Sequence, residues 1–503
     1  MDRRYLCFLG LTLGLHAHAD LCPPSLTSPV KIYQSHFAAG GFRQALQPQP
    51  DAAFGPPPVG RSIAGQAQSG ARLTSPDGPS VLRPDPGIRQ QRMMGFGGAM
   101  TEACAINMMR LTADLRAQLL EGLFSKTTGA GFDYVRLPIG ASDFSDPLLG
   151  PYTYDDSPGN RPDPEFRHFD MSRDQKSFDL LEAAQHINPG LKIIASPWSP
   201  PAWMKTTKNL RGGSLNPAHY GDYARYLVRV IREYRNFGLH IDTLSIQNEP
   251  GYSTADYPSM GMTTREQIRF TRGFLLPELR RQGVSVGVLV LDHNYNMYGD
   301  VNSLLGDLAS DVRGTAYHCY EGNITDMASS IAQHPSLPVL QTECTNMLAD
   351  QPEDAFPWWM GDYTLAATNI GAAGSLAWNL CLDQTGGPHD NGCYGCAGLA
   401  TTDFSSVEPH VSYSAEYYAL AHVSRFLKEG AQHISVASTD ADITASAFIN
   451  PDGGLTLVGW NGSVEDKTIR VERNSCDTFD YVLPAQSAAT WTWQEPVAPQ
   501  LSL

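Results

Sequence analysis

The sequence predicts an α/β protein: a (β/α)8 TIM barrel with an attached all-β sandwich domain built from both chain ends. Three observations predict it. Short apolar or β-branched runs alternate with amphipathic stretches from Met94 onward, and eight such runs precede residue 414. After that point the alternation gives way to closely spaced short strands with Asp-Gly and Asn-Gly turns. The third observation is size: 503 residues, 42% hydrophobic and 17% charged, is globular in composition but too long for one unbroken core. A barrel of roughly 250–400 residues with a smaller companion accommodates that length.

At the amino end, Met1-Asp2-Arg3-Arg4, an apolar stretch from Tyr5 to Leu15 and Ala17-His18-Ala19 make an export signal over residues 1–19. The apolar stretch is too short to span a bilayer, and no later segment supplies an integral membrane helix. The expected location is therefore secreted or periplasmic. Cys22 follows Leu21 rather than a small residue, which argues against a lipid anchor. Residues 20–90 are rich in Pro, Gly, Gln and Ser, with one strand-like piece at Val30-Lys31-Ile32-Tyr33. Such a segment buries little alone and must lend strands to the sandwich. The barrel occupies residues 91–428, with strands at 94–98, 134–138, 192–196, 243–247, 284–291, 315–318, 338–342 and 374–380. Helices lie between them, for example at 111–125, 173–186, 217–237, 264–282 and 355–369, and a final one covers 414–427. An open doubly wound sheet would carry a Gly-rich phosphate turn, and none of that form is present. Residues 429–503 form the C-terminal sandwich, with strands at 434–437, 443–448, 455–460, 467–471, 478–482 and 488–493.

Charge narrows the partners. With 36 basic and 52 acidic residues the chain carries −16, and no basic run offers a footprint for nucleic acid or an anionic membrane surface. Loss of residues 1–19 removes two arginines and one aspartate, leaving 34 against 51, or −17. Eight of the nine cysteines remain, and Cys393-Tyr-Gly-Cys396 is the one close pair. It reads as a local disulfide, because no second pair or histidine pair completes a zinc set. Asn323-Ile-Thr325 and Asn461-Gly-Ser463 match the glycosylation triplet.

Two acids carry the chemistry. In Leu244-Ser245-Ile246-Gln247-Asn248-Glu249-Pro250 an apolar run ends in Asn-Glu, and Pro250 has no N–H with which to continue a ladder. In Pro338-Val339-Leu340-Gln341-Thr342-Glu343 another run ends in an acid. Both ends fall on the carboxyl rim of a barrel, where catalytic groups gather. Carboxyls about 5–5.5 Å apart there support double displacement on a glycoside, one as nucleophile and the other as acid and then base. Arg136, at the end of the second strand, and His318, at the end of the sixth, are expected to keep the nucleophile ionised. Tyr320 is expected to assist them and to touch substrate. Glu249 needs a raised pKa to hold its proton, which an ionised Glu343 nearby would supply.

Aromatic side chains at the predicted rim, Trp198 and Trp203 in a Pro-rich stretch and Trp378 in Leu-Ala-Trp-Asn-Leu, offer faces and N–H groups to a sugar. Asp143 follows the second strand and can accept from hydroxyls. No G-x-S-x-G elbow, P-loop or H-E-x-x-H is present, and no cofactor or metal is expected.

With those residues in view, the chain resembles the glucosylceramidase (acid β-glucosidase) family, glycoside hydrolase family 30. The resemblance spans about residues 81–493 and rests on Met94-Gly95-Phe96-Gly97-Gly98-Ala99-Met100-Thr101-Glu102-Ala103, Ala195-Ser196-Pro197-Trp198, Asn248-Glu249-Pro250, Thr342-Glu343 and Trp378-Asn379-Leu380. It implies the same barrel and sandwich and retaining hydrolysis of β-glycosides. It also implies Glu249 as acid/base and Glu343 as nucleophile, with Asp143, Trp198, Asn248 and Trp378 as glucose contacts and Arg136 and His318 behind the nucleophile. The loop at 383–402, with Gly386-Gly387-Pro388-His389 and the cysteine pair, departs from the lysosomal pattern and leaves the aglycone open. The expected activity is that of a secreted β-glucosidase of the glucosylceramidase type, on a glycolipid or β-glucan. The alternatives are an endo-β-1,6-glucanase or β-xylosidase with the same chemistry and, more remotely, a non-catalytic carbohydrate-binding protein. The oligomeric state is not legible.

Overall fold

The computed structural model describes residues 26, 28–38, 41–56 and 78–495. The expected signal segment 1–19 and Cys22 lie outside the described residues. Among those that are described, no helix is long and apolar enough to cross a membrane.

Twenty strands form three sheets among the described residues. Ahead of the barrel come β1 (Val30–Ala38), β2 (Gly41–Ala52) and β3 (Ser80–Arg92). The barrel strands are β4 (Gly95–Ala99), β5 (Tyr134–Ile139), β6 (Lys192–Pro197), β7 (Ile241–Ser245), β8 (Gly287–Asn294), β9 (Gly314–His318), β10 (Val339–Glu343) and β11 (Ala372–Ala377). They run parallel in chain order and close where β11 pairs with β4, Gly374 opposite Gly95. Closure demands close backbones there: a Cβ on Gly97 would lie 1.8 Å from Tyr134 O, and one on Gly374 2.0 Å from Gly95 O. That is the physical content of the glycine-rich stretch at 94–98.

Tyr134, Ile194, Leu289, Ala316, Leu340 and Leu376, one from each of six strands, pack together with Met94 as a separate apolar cluster. The surrounding helices present amphipathic faces to the strands. The helix Tyr220–Asn236 buries Tyr220, Tyr223, Tyr226, Leu227, Val230, Ile231 and Tyr234 at helical spacing. The helix Ala113–Phe124 starts at Thr112, whose side chain accepts from Leu115 N–H. Past the barrel, β12 (Cys381–Asp383), β13 (Ala400–Asp403) and β14 (His410–Tyr413) make a small sheet over its eighth connection.

The second domain is a nine-stranded curled sheet. Its strands β15 (Gln432–Ser438), β16 (Ile443–Ile449), β17 (Gly454–Asn461), β18 (Lys467–Glu472), β19 (Thr478–Leu483) and β20 (Ser487–Gln494) lie within two residues of the predicted ones. The order is β19-β18-β3-β15-β16-β17-β20-β1-β2, so strands from before the barrel complete the sheet. Its two ends meet, since Gly55 and Thr478 exchange both backbone hydrogen bonds. Trp491, Trp493, Leu457, Ile469 and Phe54 fill the space inside. The largest apolar cluster runs through both domains, uniting Phe37, Phe448 and Trp460 with barrel side chains such as Phe356 and Leu420.

Candidate active site

The site is built around Arg136 on β5, whose side chain is fully buried. Its Nη1 donates to Glu343 Oε2 at 2.6 Å, and its Nη2 donates to Asn248 Oδ1 at 2.7 Å and Asp292 Oδ2 at 2.9 Å. Asp292, on β8, is equally buried and takes five donors in all. Ser196 Oγ (2.9 Å), Ser245 Oγ (2.6 Å) and Arg136 reach one oxygen, while Thr342 Oγ1 (2.7 Å) and His318 Nε2 (3.1 Å) reach the other. Burial opposes its charge, but Arg136 and His318 hold the Asp292 carboxyl well below the usual carboxylate range. His318, at the end of β9, is fully buried too. Burial alone would strip its proton, yet Glu343, Asp292 and Glu249 push its pKa up to about 10, so the ring is an imidazolium.

That ring joins the two acids. His318 Nδ1 lies 3.0 Å from Glu249 Oε1 and its Nε2 3.9 Å from Glu343 Oε2. An oxygen of Glu249, an oxygen of Glu343 and a ring nitrogen of His318 all fall within 4.8 Å of one another. Tyr320 Oη donates to Glu343 Oε1 at 3.0 Å. The proton preference differs from the sequence expectation. Burial raises Glu343 above its ordinary value, with His318 and Arg136 pulling against it. Burial is also the largest single influence on Glu249, but the hydrogen bond and charge of His318, with His293 and Arg136, together outweigh it and lower this group. In the unliganded pocket, then, Glu249 is the more acidic of the pair. The same three residues have the spacing of a metal site among the described residues. However, both His318 nitrogens already serve carboxylates, and an imidazolium offers no lone pair to a metal.

Local backbone explains how the acids reach one another. β7 ends at Ser245, so Pro250 is not what stops the strand. Instead the chain leaves the ladder because Asn248 N–H donates to Pro197 O (2.8 Å) and Glu249 N–H to Asp292 O (2.9 Å). Glu249 sits at φ +45°, Asp292 at +52° and Asn379 at +71°, left-handed positions that cost a non-glycine residue about 1–3 kcal/mol. Their concentration at one rim marks the site. Glu343 is the last residue of β10 and pairs with His318 across a slip in the β9–β10 register. A disulfide then joins the next residues, Cys319 and Cys344.

The proposed sugar contacts surround this centre. Trp198 and Trp378 lie beneath Arg136, 4.9 and 5.6 Å from its Cζ to their ring centroids. They stack on each other at 5.2 Å and are almost wholly buried, so they form a wall rather than free-standing platforms. Asp143 is buried under Gly392 with Oδ1 lacking a partner, and burial, then Glu343, drive its pKa well above normal. Trp203 is not part of the rim; it is buried with Nε1 donating to Asp155 Oδ2 at 2.9 Å. Two participants escaped the sequence reading. Asp292 ends the apolar run Val288-Leu289-Val290-Leu291, the same signal that singled out Glu343. Tyr257, from the loop after Glu249, packs on the Trp198–Trp378 cluster near Asp143 and both acids. Cys393–Cys396 is a local disulfide, as its spacing predicted. Of the two glycosylation triplets, Asn323 is exposed, whereas Asn461 is buried and its Nδ2 donates to three carbonyls.

Comparison with known proteins agrees with this architecture. Residues 93–427 match the glycosyl hydrolase family 30 TIM-barrel domain, and residues 430–491 match the family 30 beta sandwich domain. Endo-1,6-beta-D-glucanase neg1 of Aspergillus fumigatus is 31% identical over 428 residues, 80% of this chain and 85% of that protein. Endo-1,6-beta-D-glucanase BGN16.3 of Trichoderma harzianum is 32% identical, covering 80% and 84%. Putative glucosylceramidase 2 of Caenorhabditis elegans is 30% identical, covering 74% of each. Among solved structures, the endo-beta1,6-glucanase BT3312 superposes with a TM-score of 0.81 at 28% identity, covering 93% of this chain and 99% of that one. Barrel, sandwich and matched sequence agree: the chain belongs to glycosyl hydrolase family 30 and is a retaining glycoside hydrolase.

Proposed function

We propose that the chain cleaves β-1,6-glucan by double displacement, with Glu343 as nucleophile and Glu249 as acid/base. The observation that carries the chemistry is the approach of the two carboxylates, with an oxygen of each within 4.8 Å. Inversion needs room for a water between carboxyls roughly 6.5–9.5 Å apart, whereas retention needs about 5–5.5 Å. In the first step a Glu343 oxygen bonds to the anomeric carbon. The C1–O bond breaks, and the leaving oxygen takes the proton of Glu249. In the second step water attacks C1, gives a proton to Glu249 and releases Glu343 as carboxylate. Arg136 and Tyr320 hold the attacking carboxylate in one orientation and stabilise its charge.

The proton must sit on Glu249 when a glycoside is bound, opposite to the preference of the open pocket. Covering the pocket supplies the change. The Glu249 side chain keeps 15% of its surface and Glu343 only 7%, so a sugar desolvates Glu249 further while Glu343 has little left to lose. Asp143, Trp198, Asn248, Trp378 and Tyr320 are assigned to the bound sugar, and Arg136 and His318 to support of the nucleophile.

The β-1,6-glucan reading is favoured over the glucosylceramide reading by the two fungal glucanases and the superposed glucanase structure. A second reading, glucosylceramide, draws on the nematode relative. One panel separates them: the purified enzyme is given β-1,6-glucan, glucosylceramide and aryl β-glycosides, and products are sized. A ladder of β-1,6-linked oligosaccharides supports the proposal. Release of ceramide with an untouched glucan overturns it in favour of the second reading.

A further inference from the structure

We propose that Cys319 and Cys344 are positioning residues for the nucleophile, their disulfide fixing the reach of Tyr320 and His318 to Glu343. The inference rests on the assignment of Glu343 as nucleophile. The bond joins the first residue past β9 to the first residue past β10, so each half-cystine directly follows a side chain of the site, His318 or Glu343. Cys319 N–H also donates to Glu343 O at 3.2 Å. One residue further along, Tyr320 Oη reaches Glu343 Oε1. On the other side, Cys344 O accepts from Trp378 N–H at 2.6 Å, tying in the end of β11. Three strand ends of the rim are thereby locked at one point.

The location matters because the ladder fails just there. β9 and β10 pair evenly from Val339 opposite Thr315 to Gln341 opposite Tyr317, and then the register slips so that Glu343 faces His318. Past the slip the even ladder is broken, and the Cys319 N–H bond to Glu343 O continues the contact. The crosslink fixes covalently how far one chain has advanced along its neighbour. Tyr320 lies in an exposed turn, 41% accessible, and no strand holds its backbone. An attacking oxygen must approach its carbon to about 3–3.5 Å, and a misplacement of about 1 Å can cost on the order of 100-fold in rate. Of the five residues assigned to the sugar, Asp143, Trp198 and Asn248 come from other parts of the rim, and Tyr320 and Trp378 adjoin the crosslink. Loss of the crosslink therefore disturbs the attacking group more than the grip on the sugar.

The bond is open to test by reductant as well as by mutation, since Cys344 is buried but Cys319 is only half-buried. Dithiothreitol supplies two electrons and two protons, leaving two thiols and becoming a cyclic disulfide itself. The variants are C319A, C344A and C319A/C344A. Three quantities are measured: kcat and KM on an aryl β-glucoside, and the rate at which a 2-deoxy-2-fluoro-β-glucosyl fluoride labels Glu343, followed by peptide mass. The expected result is a fall in kcat and in labelling rate of about 10–100-fold with KM within about twofold. Either single variant should match the double, because each alone removes the bond. Unchanged kcat and labelling in the folded double variant, even with a lower Tm, overturns the proposal. If the variants fail to fold, reduction decides. In a C393A/C396A background, which removes the neighbouring disulfide, activity must fall on reduction of Cys319 and Cys344, followed by peptide mass, and return on re-oxidation; indifference to their reduction is the overturning result. Absence of label at Glu343 in the untreated parent overturns the nucleophile assignment, and this inference with it. A labelled parent with equally fast labelling of the double variant overturns the positioning role alone.

Discussion

Asp292 holds the site together through charge. It lies between two buried cations, Arg136 and His318, and three hydroxyls complete its shell. Asp292→Asn keeps the shape and removes the charge, leaving Arg136 and His318 to share Glu343 and Glu249. Breaking a buried ion pair from one side costs about 3–5 kcal/mol, and misplacing preorganised charge costs on the order of 10²-fold in kcat. Calorimetry and steady-state kinetics check both. The pH dependence of stability gives a further reading of the same variant. The His318 pKa is raised from 6.5 to about 10 in the folded protein. Its contribution is complete below about pH 6.5 and is lost as pH rises toward 10. Asp292→Asn removes one of the anions that raise it, so the fall of Tm over that window should become shallower. An unchanged slope would show that Asp292 does not hold the imidazolium. At this scale the sequence exposed the acids and three of their supports, Arg136, His318 and Tyr320, but not Asp292. Glu249 and Glu343 end apolar runs, and so does Asp292, but Asp292 faces the inside of the cluster and reveals its role only through its neighbours. The proton preference of Glu249 was also hidden, because it depends on a contact with His318 from another strand.

Among the elements, the barrel strands were legible because each is a short apolar run between amphipathic helices. β2 and β3 were not. β2 carries Pro48 and Pro50, tolerated because it ends the sheet beyond β1. β3 carries Pro84 and Pro86 within the sheet, where its pairing with β15 is interrupted by shifts around Ile434. Prolines argue against a strand locally, and only the partner strands decide otherwise. The glycines of the barrel seam make an element-scale prediction. At Gly374 an added methyl would meet the Gly95 carbonyl at 2.0 Å, backbone against backbone. Gly374→Ala must therefore part β11 from β4, at a cost of at least about 1–3 kcal/mol. A drop in Tm of several degrees with loss of activity is expected, since Trp378 stands just past the same strand. An unaltered Tm would mean the seam has slack.

For the whole molecule, barrel and sandwich share an interior. The helix Ala415–Ser424 is buried on nearly every side, and His422 sits between the domains with ring nitrogens 2.8 Å from Ser35 Oγ and Thr490 Oγ1. Burial holds that ring neutral, with a pKa lowered to about 3. Asn369 and Ser446 add a second contact across the boundary. A fragment limited to residues 93–427 would expose this helix and the apolar side chains around Phe356 and Trp460. It should aggregate on expression, while the full chain should melt in one calorimetric transition. Two separated transitions would show that the domains stand independently. The sequence announced both domains through their different periodicities but gave no sign that their cores were continuous, because the residues involved look like ordinary core residues of either.

The interleaving also governs synthesis. β1, β2 and β3 are translated before the barrel, yet β1 lies between β2 and β20, the last strand among the described residues, with Lys31 opposite Thr492. The eight barrel strands translated between β3 and β15 belong to a different sheet. The β1–β2 hairpin and β3 must wait for β20, β15 and β18 while the entire barrel is made, and the sheet can lock shut only after β20 has emerged.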